Sequence, residues 1–335
     1  MLFRSVYDRI KTSNIKQKKE ILVNKQKLLI VGGGGMVGAT AAYACALRSV
    51  IEEIVLIDRN EDLAWGQAAD INDAMGIDRN VVVHTGNYSD INDDDIVVIT
   101  AGAPQLPGQT RLELIDVNAK IMRDIVKNIM ANGAKPYLVI VSNPVDVLTY
   151  VALKESGLPK NRVFGTGTTL DTSRMKSYLA DAFNVDSKAV DAYILGEHGD
   201  SSFSTIETAQ IGEVPIKEYP GFTEEMIDGI EQKVRDRAYR VIETKKSTYF
   251  AIGFVVSKIV SALRKSTHTV YPVCSLAEGE YGLNKVVLGL PSTISSDGVK
   301  ILAGYPLTER EKESLNKSAG IIAEMISHLD KAENC

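Results

Sequence analysis

Cysteine is scarce in this chain of 335 residues, and the three present, Cys45, Cys274 and Cys335, stand far apart. They form no C-x-x-C pair and offer no metal-ligand spacing, so neither a metal centre nor a disulfide framework is expected. Buried or incidental thiols in a reducing, cytoplasmic setting fit them better. Positive charge is not in excess: 38 Lys and Arg against 43 Asp and Glu leave a net charge of −5. A dedicated nucleic-acid binder would carry a basic face, so no nucleic-acid partner is expected. There is also no clean membrane span. Leu28 to Leu47 lacks charge, but it contains Gly32-Gly33-Gly34-Gly35, and four consecutive glycines sharply weaken a helix. Internal repeats and low-complexity tracts are missing as well.

Hydrophobic residues make up 44% and charged residues 24%, the balance of a chain with a full core. Its length suggests two closely packed domains preceded by an arm. Residues 1–27 are the arm, rich in Lys and Arg, with Phe3, Val6, Tyr7 and Ile10 on helical spacing. Asp8 and Glu20 are unusual for a transit peptide, so the arm reads as a tail or as a segment packing on a neighbouring subunit. Residues 28–165 alternate short apolar runs with helical segments: strands at 27–31, 54–58, 81–84, 96–100 and 137–141, and helices at 36–48 and 112–132. That alternation predicts a doubly wound parallel sheet, a Rossmann arrangement in the α/β class, with ligands at the carboxyl ends of the strands. Residues 166–335 change character and read as a second, α+β domain. It starts with a helix at 171–183, a strand at 189–195 and a charged helix at 223–245.

Gly33-Gly34-Gly35-Met36-Val37-Gly38 matches G-x-G-x-x-G between a strand and a helix. Gly33 is expected to permit the tight turn, Gly35 to admit a pyrophosphate, and Gly38 to let helix and strand approach. Val37 lies inside the same turn, where the helix N-terminus presents free N–H groups to phosphate. Asp58 ends the second strand twenty positions after Gly38, where a carboxylate suits ribose hydroxyls and repels a 2′-phosphate. NAD is therefore preferred to NADP, although Arg59 next door pulls mildly the other way. Gly102 and Ala103 after the fourth strand, and Ser142 and Asn143 after the fifth, fall at the same sheet edge and complete the cofactor candidates.

Hydride transfer to a 2-oxo acid needs a proton donor, a carboxylate to orient it, and cations for the substrate. His198, in Gly196-Glu197-His198-Gly199-Asp200, is a strand-end imidazole that titrates near neutral pH. Asp171 and Arg174 share a helix face at i and i+3. Separate duties are expected of them, Asp171 orienting His198 and Arg174 gripping a carboxylate bidentately, although a plain intrahelical ion pair is the simpler alternative. Gly102 to Arg111 reads as a loop that closes as a lid, carrying Arg111 over the cleft to polarise the carbonyl. Asn143 is placed to hydrogen-bond the substrate oxygen.

Taken together, Gly33 to Gly38, Asp58, the Thr100-to-Arg111 loop, Val141 to Asp146, Gly167 to Arg174, Gly196 to Asp200 and Ser247-Thr248-Tyr249 resemble the L-lactate/malate dehydrogenase family, on its lactate branch. The resemblance runs from about Lys27 to His328. It implies reversible hydride transfer between NADH and pyruvate, giving L-lactate and NAD. His198 is then the proton donor and acceptor, Asp171 its partner, Arg174 the carboxylate anchor and Arg111 the lid arginine. It also implies that Gln105 discriminates substrates, because malate-specific members carry an arginine there and a neutral side chain leaves a second carboxylate unpaired. Thr248 and Ile252 match pocket positions with room for a methyl group. A homotetramer or dimer is implied too. Lys176 and Asp191 stand where many bacterial members place a basic pair for fructose 1,6-bisphosphate, so no activation by that sugar phosphate is expected. A malate or bulkier 2-hydroxy acid dehydrogenase, and a non-catalytic member, are the alternatives.

Overall fold

The computed structural model describes residues 26–77, 80–104 and 110–333. Most of the expected arm, Gln105 and Cys335 lie outside the described residues. Six short apolar strands, β1 (Leu28–Val31), β2 (Glu53–Ile57), β3 (Val82–Thr85), β4 (Ile96–Ile99), β5 (Tyr137–Ile140) and β6 (Val163–Gly165), run parallel in the order β3-β2-β1-β4-β5-β6. Four helices connect them: α1 (Met36–Leu47), α2 (Glu61–Met75), α3 (Arg111–Met130) and α4 (Val145–Ser156). The strand order reverses beside β1, which opens a crevice at the carboxyl ends of β1 and β4.

Alternation along each strand assigns the two faces. Leu29, Val31, Val97, Ile99, Leu138 and Ile140 pack on the side of α3 and α4. Leu28, Ile30, Val98 and Val139 pack on the side of α1 and α2. Burial on both faces is why the strands read as continuous apolar runs. Thr110 caps α3 with a reciprocal Glu113 bond, and Gly157 ends α4 in a left-handed conformation.

The second half begins with α5 (Thr169–Phe183), then β7 (Val190–Asp191), β8 (Ile194–Leu195), β9 (Phe203–Ser204), β10 (Gln210–Ile211) and β11 (Val214–Pro215). Next come α6 (Glu224–Ile227), α7 (Ile230–Lys245) and α8 (Phe250–Lys265), then β12 (Thr269–Glu278), β13 (Asn284–Ser295), β14 (Gly298–Ile301) and α9 (Glu309–Glu333). β12, β13 and β14 extend the parallel sheet as an antiparallel ribbon beyond β6, making nine strands in all among the described residues. A separate core of Met175, Leu179, Phe183, Ile194, Ile211 and Val234 anchors α5.

Two expected elements are broken. The strand at 189–195 is two pieces in different sheets, β7 pairing with β10 and β8 with β9. Hydroxyls take two N–H groups at the break: Tyr193 N–H donates to Thr205 Oγ1 at 2.9 Å, and Ile194 N–H, at the start of β8, to Thr172 Oγ1 at 2.9 Å. The helix at 223–245 is interrupted at Gly229, whose φ of 62° is left-handed. No single helix among the described residues is long and apolar enough to cross a membrane.

Candidate active site

The glycine turn begins one residue earlier than the motif suggests. Gly32 carries the left-handed φ of 89°, and a Cβ there would stand 2.7 Å from the Ala101 nitrogen. The tight-turn duty expected of Gly33 thus belongs to Gly32. Gly33 is needed because a Cβ would meet Leu56 at 2.8 Å. Gly38 packs α1 on the turn so closely that a Cβ would overlap the Gly32 carbonyl. A Cβ at Gly35 would meet nothing nearer than 3.4 Å, and no side chain caps α1. Gly35 and Met36 are exposed where α1 begins and Gly38 is buried beneath them, so the uncapped start of α1 is open at Gly35, which fits a pyrophosphate.

Asp58 is fixed at the crevice edge by two backbone donors, Gly34 N–H and Asn60 N–H, each at 3.0 Å. Each carboxylate oxygen keeps a further acceptor site, so the residue fits ribose hydroxyls. Arg59 beside it is exposed. Thr100 Oγ1 donates back to the Val31 carbonyl at 3.1 Å, tying β4 to the turn. Ser142 Oγ donates to the Ala101 carbonyl at 2.6 Å.

Buried Asn118, on α3, joins the next two loops. Its Oδ1 accepts from Ala103 N–H at 2.7 Å, and its Nδ2 donates to the carbonyls of Ala103 at 3.1 Å and Asn143 at 2.9 Å. Sequence reasoning missed this residue, because a lone Asn in an amphipathic helix carries no signal of a partner. Gly102 lies against it, a Cβ there falling 3.4 Å from Asn118 Oδ1. The Asn143 side chain is exposed at the strand end, just before a cis peptide bond to Pro144.

The chain of contacts continues into the second half. Asp146, on the first turn of α4, accepts the His198 backbone N–H at 2.8 Å. His198 Nδ1 then meets Asp171 Oδ2 at 2.6 Å, and Arg174 Nη1 donates to Asp171 Oδ1 at 2.8 Å. Asp171 therefore divides its two oxygens between an imidazole and a guanidinium. The separate duties expected of Asp171 and Arg174 are corrected to this extent: they are bonded to one another, and both are mostly buried. Burial alone would push the His198 proton affinity down, but the charge and hydrogen bond of Asp171, with help from Asp146, hold it above the ordinary value of 6.5. Burial would raise Asp171, yet His198 and Arg174 hold it below the usual carboxylate value.

Residues 105–109 of the expected lid lie outside the described residues. Arg111, at its far end, is the first residue of α3, which the Thr110 cap starts. Its guanidinium contacts the buried carboxylate of Glu197, the residue preceding His198. Ser201 Oγ bonds the other oxygen of Glu197. Arg174 and Thr248 line one cavity of about 370 Å3, together with Arg237, Lys245 and Tyr249. Ile252 packs against the core on the α1 side, as does Val141. Among the described residues there is no cluster suited to a metal ion, and Cys45 and Cys274 are free and buried.

Comparison with known proteins follows the same division. The family model for the lactate/malate dehydrogenase NAD-binding domain matches residues 26–165, and that for the alpha/beta C-terminal domain matches residues 168–333. An L-lactate dehydrogenase of Lacticaseibacillus casei is 40% identical over 306 residues, 90% of this chain and 94% of that protein. One from Borrelia hermsii is 41% identical over 319 residues, 93% of this chain and all of that protein. The crystal structure of a minor L-lactate dehydrogenase from Enterococcus mundtii in a ligands-bound form aligns with a TM-score of 0.87 and 41% identity, covering 90% of this chain and 98% of that one.

Proposed function

The chain belongs to the lactate/malate dehydrogenase family, and from that membership we propose that it interconverts pyruvate and L-lactate. It is an NAD-dependent oxidoreductase, and NADH, when bound, supplies the hydride. The observation that carries the reading is the 2.6 Å contact of His198 Nδ1 with Asp171, beside Arg174. A carboxylate on Nδ1 fixes the tautomer and leaves Nε2 to give its proton to the carbonyl oxygen of pyruvate. In the reverse direction, neutral Nε2 takes the hydroxyl proton of lactate. Asp171 stabilises the imidazolium without being protonated itself.

Arg174 spends one of its five N–H donors on Asp171 and retains others for the substrate carboxylate. Asn143 is the donor to the reacting oxygen. Arg111 is 42% exposed at its side chain, so its outer face can turn to the substrate while Glu197 holds the inner one. There it would stabilise the charge growing on the carbonyl oxygen.

Gln105 is the proposed discriminating residue, because a neutral side chain offers no counter-charge to a second carboxylate. The test is NADH oxidation with pyruvate, oxaloacetate and 2-oxoisocaproate, compared by kcat/KM. Pyruvate is expected to lead, and Gln105→Arg to move the preference toward oxaloacetate. Wild-type preference for oxaloacetate would sink the proposal, and NADH binding without any turnover would favour a non-catalytic member.

A homotetramer is proposed as the working form. Trp65 on α2 is 66% exposed, and Phe250 and Phe254 on α8 are 68% and 54% exposed, apolar surface that a neighbouring subunit would cover. Light scattering at assay concentration should give a mass near four chains; a monomer mass would remove this part.

A further inference from the structure

Asp146 is buried to 2% exposure behind His198, and the mechanism above gives it no task. Oδ2 accepts the His198 backbone N–H at 2.8 Å. Oδ1 is fully enclosed and has no hydrogen-bond partner of good geometry. The thiol of Cys274 on β12 also borders the Asp146 carboxylate. The thiol has little room to move, since a Cβ on Gly165 would already lie 2.5 Å from Cys274 Sγ. Thr149 Oγ1 lies 3.4 Å from the same sulfur and donates its own hydrogen to the Val145 carbonyl at 2.7 Å. With the Thr149 hydrogen given to Val145, the thiol has a single hydrogen to offer either Thr149 or Asp146. A thiol is a weak donor, so an enclosed carboxylate beside it is poorly solvated.

We propose that Asp146 is a positioning residue for the reaction: through the His198 backbone it sets the place of the imidazole, and through its charge it sets when that imidazole carries a proton, with Cys274 governing the ionisation of Asp146. This rests on the reading of His198 as proton donor and acceptor. The charged groups around the imidazole are Asp171 and Arg174 from α5 and Asp146 from α4. Around Asp146 the titratable groups are His198, the neutral thiol of Cys274, and Arg111 from α3. The Arg111–Glu197 pair closes the same side.

Burial pushes the Asp146 carboxyl up to about 6, against the pull of the His198 N–H and charge, the thiol and Arg111. The Asp146 carboxylate holds the His198 backbone N–H directly, so the two ionisations are coupled. Ionised Asp146 favours imidazolium; protonated Asp146 withdraws that support. A neutral isostere would leave the positioning bond in place and remove only the charge.

The test is the pH dependence of pyruvate reduction and lactate oxidation for wild type and Asp146→Asn. The variant should shift the His198 midpoint in both directions of reaction to lower pH by about one unit. A folded variant with uniformly lower kcat and an unmoved midpoint would overturn the proposal, since a purely structural residue behaves that way. Should the variant fail to fold, NMR titration of the His198 ring in the wild-type enzyme decides. It should show a second inflection near pH 6, moved lower in Cys274→Ser because a hydroxyl donates better than a thiol. A single inflection, or one indifferent to Cys274→Ser, would overturn the proposal as well. Absence of pyruvate turnover in the wild type would instead count against the proposed reaction, and the NMR result would stand apart from it.

Discussion

Asp171 is the residue on which the proposed chemistry turns, because one of its oxygens meets an imidazole and the other a guanidinium. In a mostly buried setting, a carboxylate with both oxygens engaged stays ionised and holds its partners in place. His198 consequently keeps its proton to a higher pH than a free imidazole does. Pyruvate reduction consumes that proton, so its rate should fall as pH rises through the raised His198 value. Lactate oxidation needs the neutral ring and should rise over the same range. Steady-state rates in both directions between pH 5 and 10 check the sign; a midpoint below 6.5 would contradict it. His198→Ala should lower kcat by roughly 10² to 10⁴ while NADH still binds by fluorescence titration, and unchanged turnover would remove the imidazole from the mechanism.

At the scale of elements, α3 does more than cover the sheet. Thr110 starts it at Arg111, which puts that guanidinium on Glu197. Two turns further on, Asn118 ties the loops after β4 and β5 together. Three hydrogen bonds to one enclosed amide make this a joint with no slack, since an unpaired buried partner costs about 1–3 kcal/mol. Asn118→Leu should lower Tm by several degrees, roughly as that cost implies for a chain of this size, and raise KM for NADH more than it lowers kcat. A variant with wild-type KM would show that the loops hold their shape alone. The broken strand at 189–195 carries a similar lesson. Its apolar pattern reads as continuous, yet Thr172 and Thr205 hydroxyls take two N–H groups at the break and turn β8 toward the site.

Across the whole molecule, nine strands place residues 28–165 and the ribbon at 269–301 in one sheet. The second half therefore reaches the crevice from a rigid base: Gly196 bridges Gly289 on β13, and His198 follows two residues later. Control from outside the site can also be argued at this scale. Burial lowers the proton affinity of Lys176, Asp191 opposes that shift, and the Lys176 Nζ sits 5.3 Å over the Tyr193 ring. A cation already engaged with an aromatic face and an acid is a poor host for a bisphosphate. Adding fructose 1,6-bisphosphate should leave KM for pyruvate unchanged, and a several-fold fall on addition would count against this reading.

The linear chain by itself determined the local features: the strand–glycine–helix turn, the acid ending β2, the apolar runs buried on both faces, and the placing of Asp171 and Arg174 on one helix face. Each depends on neighbours within a few positions, where backbone geometry leaves little choice. It also grouped His198 with residues 27 positions away through a family pattern, without a bond to show for it. Tertiary structure alone decided that Asp171 serves both an imidazole and a guanidinium, that Arg111 rests on Glu197, and that Asn118 and Asp146 stand behind the loops and the imidazole. It alone placed the left-handed turn at Gly32, where the backbone of Ala101 crowds in. Those outcomes depend on which groups meet across the sheet once water is excluded, and hydrogen-bond partners far apart in sequence leave no periodic trace in it.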